Sequence, residues 1–173
     1  MKLAHVAITG LCKKPASKAL DRHTIKMRAK LVDLDFNGHV NNSRFLSMMD
    51  VGRTHLFFHS EWKELFKKQR ILPIATGVDI TYLKSLSFGS TFDLTSEIIY
   101  WDDRWLYMKQ SFVKENDLLA VGAVKLAVMK GRKRISPESA MAMITGDPAP
   151  TPSFPEEIRE IFSLQYQWVK KCT

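Results

Sequence analysis

Alternation of apolar and polar residues marks one early stretch of the chain and dominates it after residue 73. Period-two alternation is typical of a half-buried strand. It predicts five strands, at residues 23–32, 74–83, 91–101, 105–114 and 118–130. Short polar turns join the last three strands, which predicts an antiparallel meander.

Residues 42–59 follow a different pattern, with no proline, one glycine and apolar residues on nearly every side. A helix that is apolar all round is normally buried. The pattern therefore predicts a long central helix, with Gly52 allowing close packing, followed by a short amphipathic helix at residues 61–69. A curved five-stranded antiparallel sheet can cover such a helix, so we predict an α+β fold with the sheet wrapped around it.

The two ends of the chain carry weaker patterns. Residues 1–22 show little periodicity, while Ser136 and Pro137 are typical of a helix N-cap and first helical position. Residues 146–155 are rich in proline, and residues 155–169 predict a C-terminal amphipathic helix. We expect one domain over residues 1–173, with a core at about 22–132 and a helical extension at 136–173.

Composition is that of an ordinary globular protein, with 45% apolar and 25% charged residues among 173. The net charge of +8 favours anionic partners such as phosphorylated small molecules, membrane surfaces or nucleic acid. Nucleic acid ranks last, because no recognition motif accompanies the charge. Cys12 and Cys172 show neither metal-site nor disulfide-framework spacing, which predicts free thiols in a reducing compartment.

The N-terminal stretch is apolar enough to invite comparison with a signal peptide. His5 and Thr9 interrupt the run, and Lys13 and Lys14 follow where a small-residue cleavage site would lie. No stretch approaches the ~18 apolar residues that a membrane-spanning helix needs. These patterns predict a cytoplasmic protein without a membrane span.

The candidate chemistry lies at residues 33–41, directly before the long helix. This loop holds Asp33, Asp35, Gly38, His39 and Asn41. Unpaired backbone N–H groups at a helix N-terminus favour negative charge, so polar groups gathered there indicate a functional site.

Each of these residues also has a purely structural interpretation. Asp35 is a common type of turn former, and Gly38 predicts a positive φ. His39 either orients a site or packs by hydrogen bonding, and Asn41 and Asn42 are typical helix caps. His55 and His59 have helical spacing, but no acidic or cysteine partner is evident, so we expect no metal.

The run DLDFNGHVNNSRFL at residues 33–46 and the later WDDRW at residues 101–105 resemble a known family. They are similar to motifs of the hotdog-fold thioesterases, in the group of 4-hydroxybenzoyl-CoA thioesterase and related acyl-CoA thioesterases. The likeness is greatest to a bacterial branch related to the animal thioesterase superfamily member 6. It covers roughly residues 22–132.

The resemblance implies a hotdog fold and a role for each loop residue. Asp35 would be the catalytic carboxylate, either attacking the thioester carbonyl or activating a water, with His39 beside it. The backbone N–H of Asn42 would polarise the carbonyl, while Gly38 and Asn41 would contact substrate. Relatives that use a helical glutamate offer no guide, because Asp50 is the only acidic residue in this helix.

The family likeness further implies hydrolysis of an acyl-CoA to a carboxylic acid and free CoA, without metal or cofactor. Family sites lie between protomers, which implies a homodimer or homotetramer. Two alternatives remain: the same reaction on acyl carrier protein, an acidic partner that would suit the charge of +8, and a non-catalytic acyl-CoA-binding hotdog protein. Hotdog dehydratases use a different setting of histidine and acid.

Overall fold

The structure is a computed structural model that describes residues 3–12, 14–146, 153, 156 and 160–162. The helices are α1 (Leu3–Cys12), α2 (Asn42–His59), α3 (Trp62–Gln69) and α4 (Pro137–Thr145). The strands are β1 (His23–Arg28), β2 (Ile71–Tyr82), β3 (Thr91–Trp101), β4 (Leu106–Lys114), β5 (Asp117–Lys130) and β6 (Lys133–Ile135).

All strands belong to one antiparallel sheet in the order β1-β3-β4-β5-β2. These are the five strands that the alternation predicts. The three-residue β6, which the sequence did not indicate, pairs with the end of β5. Strands β1 and β2 form the two edges of the main path, and the 12-residue β2 is the longer of them.

Helix α2 lies against the sheet, as predicted, and begins and ends at the expected residues. Gly52 makes the closest approach. A Cβ atom there would lie 2.8 Å from Ser96 Oγ and 2.9 Å from Gln110 Nε2. The missing side chain therefore lets the helix axis sit close to β3 and β4.

A polar network fills this contact between helix and sheet. The fully buried Gln110 donates from Nε2 to Ser96 Oγ at 2.8 Å and to the Met49 carbonyl oxygen at 3.0 Å. Its Oε1 accepts from Arg53 Nη1 at 2.8 Å, and Arg53 also pairs with Asp50. Gln110, Ser96 and Arg53 in this network thus each have a hydrogen-bond partner, which offsets the cost of their desolvation.

Two predicted strand boundaries were wrong. Strand β1 ends at Arg28, and Leu31 lies 72% exposed in a 3-10 turn instead of continuing the buried face. The chain leaves the sheet there because it must turn toward α2. Strand β2 begins at Ile71, before Pro73. An edge strand tolerates a proline, since one side of its backbone needs no pairing.

Helix α1, which the weak periodicity did not predict, packs against the second half of α2. Gly10 lies so close to the Phe58 backbone that a side chain would collide with it. The buried Lys63 donates from Nζ to the Gly10 carbonyl oxygen at 3.0 Å. A positive charge at a helix C-terminus is favourable, so Lys63 helps to fix α1.

Helix α4 starts as predicted, with Ser136 as its N-cap and Pro137 at its first position. The expected helix at residues 155–169 and the proline-rich segment before it lie almost wholly outside the described residues, as does Cys172. Cys12 is a free, exposed thiol at the end of α1. Within the described residues, no helix combines the length and apolar character needed to cross a membrane.

The outer face of the sheet, opposite α2, carries a small aromatic cluster that includes a C-terminal residue. Phe162 is buried with its ring 5.7 Å from the ring of Tyr107. The ammonium of Lys125 lies 5.0 Å from the ring centre of Trp105 and 5.1 Å from that of Phe162. Phe162 and its described neighbours at residues 160–162 therefore cover part of this side of the sheet.

Candidate active site

The loop before α2 is a tight, hydrogen-bonded turn. The Asp35 N–H donates to the His39 carbonyl at 2.8 Å, and the Gly38 N–H donates to the Asp35 carbonyl at 3.1 Å. Gly38 has the predicted positive φ, at 76°. Asp35 Oδ1 also accepts from the Asn37 N–H at 2.8 Å, so its carboxylate shapes the turn.

This loop is attached to the turn between β2 and β3. The Val40 N–H donates to the Leu86 carbonyl at 2.8 Å, and His39 forms a bridge with Ser87. The two segments are far apart in the sequence, and their pairing places the end of β2 beside the loop.

The start of α2 is fixed by its cap. Asn41 Oδ1 accepts from the Ser43 N–H at 2.9 Å and from Ser43 Oγ at 2.7 Å. Asn42 is the first residue of the helix, so its N–H has no partner in the helix itself. Its carbonyl oxygen accepts from the Tyr82 hydroxyl at 3.0 Å, which ties the helix start to the end of β2.

A cleft of about 240 Å³ opens where these segments meet. Among its lining residues are the three predicted catalytic residues, Asp35, His39 and Asn42. The opposite wall comes from the end of β2 and the residues after it. The full lining consists of Asp35, His39, Val40, Asn42, Phe45, Tyr82, Leu83, Lys84, Ser85 and Leu86.

The two predicted substrate contacts, Gly38 and Asn41, are not among the lining residues. Gly38 is exposed at the tip of the turn, with open space where a side chain would be. The Asn41 side chain is engaged with Ser43 as a cap. Their contact with substrate stays a prediction.

Sequence reasoning missed Tyr82, Lys84 and Ser85, which supply the polar groups of the far wall. Burial raises the pKa of Tyr82, which keeps its hydroxyl protonated as a hydrogen-bond donor. Lys84 Nζ pairs with Asp117 at 2.5 Å. The only sequence signal was their position at the end of a predicted strand, which does not identify the loop that meets them.

The cleft thus combines a carboxylate, an imidazole and the N-terminus of a helix. A helix N-terminus stabilises developing negative charge, and a nearby carboxylate can act as a nucleophile or a base. Together they can promote addition to a carbonyl group whose oxygen faces the helix.

The WDDRW segment has a structural role in the hairpin between β3 and β4. Asp102 Oδ1 accepts from the backbone N–H groups of Arg104 and Trp105, at 2.8 and 2.6 Å. Its other oxygen accepts from the Tyr107 hydroxyl at 3.3 Å. The aspartate therefore holds the hairpin and orients a tyrosine of the outer aromatic cluster.

The histidines of α2 form a second polar group near β1. His55 and His59 stack with ring centres 4.1 Å apart, and His55 Nδ1 lies 3.4 Å from His23 Nδ1. His23 Nε2 is 2.5 Å from Ser17 Oγ. Across the part of the chain that the structure describes, no three histidine, cysteine or acidic side chains converge as metal ligands would.

Comparison with models of protein families shows which family the chain belongs to. The model of the Thioesterase-like superfamily matches residues 30–162, which include the cleft loop, α2 and the whole meander. The chain belongs to the thioesterase-like superfamily. Membership confirms the resemblance carried by residues 33–46 and supports thioester hydrolysis as the general activity.

Similar proteins of this superfamily occur in animals. The chain is 28% identical over 159 residues to protein THEM6 of Danio rerio, covering 89% of this chain and 75% of that protein. It is 31% identical over 132 residues to protein THEM6 of Xenopus laevis, covering 73% and 60% respectively. The chain therefore spans only part of the length of each.

Among solved structures, the fold is similar to that of 4-hydroxybenzoyl CoA thioesterase in complex with 4-hydroxybenzoyl CoA. The TM-score is 0.62 at 12% identity, covering 72% of this chain and 99% of that one. This likeness shows the fold alone. The predicted α+β hotdog fold, an antiparallel sheet wrapped around a central helix, is confirmed.

Proposed function

We propose that this thioesterase-superfamily protein hydrolyses an acyl-CoA to a carboxylic acid and free CoA in the cleft at the start of α2. One observation carries the proposal: the Asp35 carboxylate and the first residue of α2 line the same cleft. A thioester carbonyl placed between them has an attacking group on one side and polarising N–H groups on the other.

In the proposed reaction, the Asn42 N–H and the helix N-terminus stabilise the oxygen of the carbonyl as it gains negative charge. Asp35 acts in one of two ways. As a nucleophile, its oxygen bonds to the acyl carbon, CoA leaves as the thiolate, and water then hydrolyses the mixed anhydride. As a base, it removes a proton from water as the water attacks the acyl carbon directly; the C–S bond then breaks, and CoA leaves as the thiolate.

The turn itself does not require a carboxylate at position 35, so the negative charge is assigned to the chemistry. An asparagine oxygen can also accept the Asn37 N–H, so the hydrogen bond that shapes the turn does not require the negative charge. His39, which is exposed beside Asp35, is assigned an orienting role. Gly38 and Asn41 act at the site through the turn and the helix cap that they form.

We further propose that the working protein is a homodimer joined along β2. This edge strand has 12 residues, and its outer side has no partner strand among the described residues. A long unpaired edge favours pairing with another chain. Leu83, which lines the cleft, is 54% exposed and would be covered by such a partner.

Two competing functions remain testable alternatives: the same hydrolysis on acyl carrier protein, and acyl-CoA binding without turnover. A panel of acyl-CoA substrates, aliphatic and aromatic, with free thiol release as the readout, tests the proposal. We expect release from at least one acyl-CoA. Turnover only on acyl carrier protein favours the first alternative, and tight binding of acyl-CoA without thiol release favours the second.

A further inference from the structure

A second cavity of about 340 Å³ lies on the other side of the cleft loop, between the end of β1 and α2. Its floor is apolar and formed by Met27, Met48 and Val51. Its rim is basic, with Arg28, Lys30 and Arg44 around one acidic side chain. The complete lining is Met27, Arg28, Lys30, Val32, Asp33, Arg44, Ser47, Met48 and Val51.

The positive charges on this rim are only partly compensated. Asp33 lies 3.7 Å from Arg44 Nε and also accepts the Lys30 backbone N–H at 2.9 Å. Arg44 Nη2 donates to the Val32 carbonyl at 2.6 Å. Arg28 donates from Nε to the Gly89 carbonyl at 3.1 Å, a neutral partner. Three cations therefore face the cavity with one carboxylate.

We propose that this cavity binds the phosphate-bearing nucleotide end of CoA, with Arg28 and Lys30 contacting the phosphates. The inference rests on the proposed function, because it assigns the far end of the same substrate. Phosphate groups accept strong hydrogen bonds from arginine and lysine, and the apolar floor offers a surface on which the adenine can lie.

In this assignment the two cavities hold the two ends of one molecule. Residues of the same segment line one cavity or the other: Asp35 and Asn42 line the cleft, whereas Asp33 and Arg44 line the second cavity. What separates them is the first turn of α2, and a helix with its side chains is about 10–12 Å wide.

The arm of CoA between sulfur and phosphate has about as many backbone bonds as four amino-acid residues, so it extends to roughly 13 Å. That length is sufficient to cross one helix turn. Ser43 and Ser47 are both exposed in the first two turns of α2, and Ser47 lines the second cavity.

The shape of the site favours CoA over acyl carrier protein. Here the cations surround a concave space, where a nucleotide can be enclosed. A carrier protein delivers its phosphopantetheine from an acidic surface of its own, for which a flat basic patch would be the better match. The basic run at residues 130–134 offers exposed cations of this kind, with Arg132 in the turn between β5 and β6 and Lys133 at the start of β6.

The test compares one acyl group on CoA with the same group on pantetheine, which has no nucleotide. In the R28Q/K30Q variant we expect KM for the acyl-CoA to rise about tenfold or more, since charge-assisted contacts are lost. The value of kcat should stay close to that of the parent, and KM for the acyl-pantetheine should not change. Calorimetry with free CoA should show the same loss of affinity, independently of turnover.

The matched control is R132Q/K133Q, which removes the same charge from the β5–β6 hairpin. Equal KM values for acyl-CoA and acyl-pantetheine in the parent protein would overturn the assignment. A KM rise in the control instead of R28Q/K30Q would do so too, as would an effect confined to acyl carrier protein. If R28Q/K30Q unfolds, the single variant K30E gives the same test, because Lys30 is exposed and its replacement should not disturb folding. CoA affinity that depends on Lys30, with no hydrolysis of any acyl-CoA, would support this site and refute the proposed function.

Discussion

The hydroxyl of Tyr82 donates a hydrogen bond to the carbonyl oxygen of Asn42 across a distance of 3.0 Å. This bond joins the last residue of β2 to the first residue of α2. The Tyr82 ring also contacts Phe45 edge to face, with ring centres 5.3 Å apart. The strand thus holds the helix N-terminus at a fixed place in the cleft.

Removing this hydroxyl should affect catalysis more than a comparable loss elsewhere. Tyr82→Phe keeps the ring contact but deletes the bond to Asn42, so we expect a loss of about 1 kcal/mol in unfolding free energy. We also expect kcat to fall at least about threefold, because the polarising N–H is less well positioned. The control Tyr107→Phe deletes a hydroxyl bonded to Asp102 on the outer face and should leave kcat unchanged. Equal kcat losses in both variants would count against a positioning role.

The negative charge of Asp35 should be essential for turnover and dispensable for folding. Asp35→Asn retains an oxygen for the Asn37 N–H, so the melting temperature should barely change. Thioester hydrolysis should fall by at least about 10²-fold if the carboxylate is nucleophile or base. Steady-state kinetics and thermal unfolding, measured on the same preparation, check both points.

Two further variants provide a comparison for the loss of hydrolysis expected in Asp35→Asn. Asp33→Asn changes an aspartate two positions away, which contacts Arg44 and the Lys30 backbone, and its effect should be much milder. The loss of hydrolysis in His39→Ala should lie between the losses in Asp33→Asn and Asp35→Asn if the imidazole only orients the site. Near-native hydrolysis by Asp35→Asn would end the proposed mechanism.

Gly52 should be the least replaceable residue of α2. A methyl group at this position would lie within 2.9 Å of Gln110 Nε2 and the Leu94 side chain, so Gly52→Ala must push the helix from the sheet or break the buried network. We expect a loss of about 1–3 kcal/mol in unfolding free energy. Ser47→Ala on the exposed side of the same helix is the control. Denaturant titration would contradict the prediction if both variants were equally stable.

The histidine cluster should make folding stability depend on pH. Burial, with smaller contributions from His59 and His23, lowers the pKa of His55 to about 4. Burial and then His59 also lower the pKa of His23, against an opposing effect of Asp21. Below the ordinary value of about 6.5, the unfolded chain therefore binds protons that the folded protein does not.

The stability contributed by neutral His55 is thus fully present above about pH 6.5 and lost as the pH falls toward 4. We expect the melting temperature of the parent protein to decrease more between about pH 7 and pH 5 than that of His55→Gln. His5→Gln, at an exposed position of α1, should keep the parent slope. Parallel curves for parent and His55→Gln would refute the assignment.

The homodimer should depend on the edge of β2. If two copies pair along this edge, the five main-path strands of each copy form one continuous sheet of ten strands. Ile74→Lys places a charge on this strand, at a residue that is 49% exposed, and should yield a monomer in light scattering at micromolar concentration. Ile8→Lys, equally drastic but on α1, should leave the dimer intact. A monomeric parent protein would exclude this assembly.

Much of the architecture was predictable because its signals are local. The bounds of α2 follow from a proline-free stretch with apolar residues on nearly every side, and those of β3 from strict alternation. The same holds for the loop residues Asp35, His39 and Asn42, which are close in sequence and share one cleft.

The parts that were missed depend on contacts between distant segments. Helix α1 has little periodicity of its own and is held by Gly10 against Phe58 and by Lys63. From the sequence alone, Pro73 predicts that no strand runs through it. Only the strand order shows that β2 is an edge strand, where a proline is tolerated. Tyr82 and Lys84 reach the cleft because residue 40, in the loop before α2, pairs with residue 86, in the turn after β2.

The aromatic cover on the outer face has a practical consequence for shortening the chain. A fragment that stops near residue 132, where the family likeness first suggested a core boundary, would lack Phe162 and leave Tyr107 and Trp105 open to water. The loop at residues 33–41 would be intact, yet a newly exposed aromatic surface promotes aggregation. Expression of such a fragment would be limited by solubility rather than by damage to the cleft.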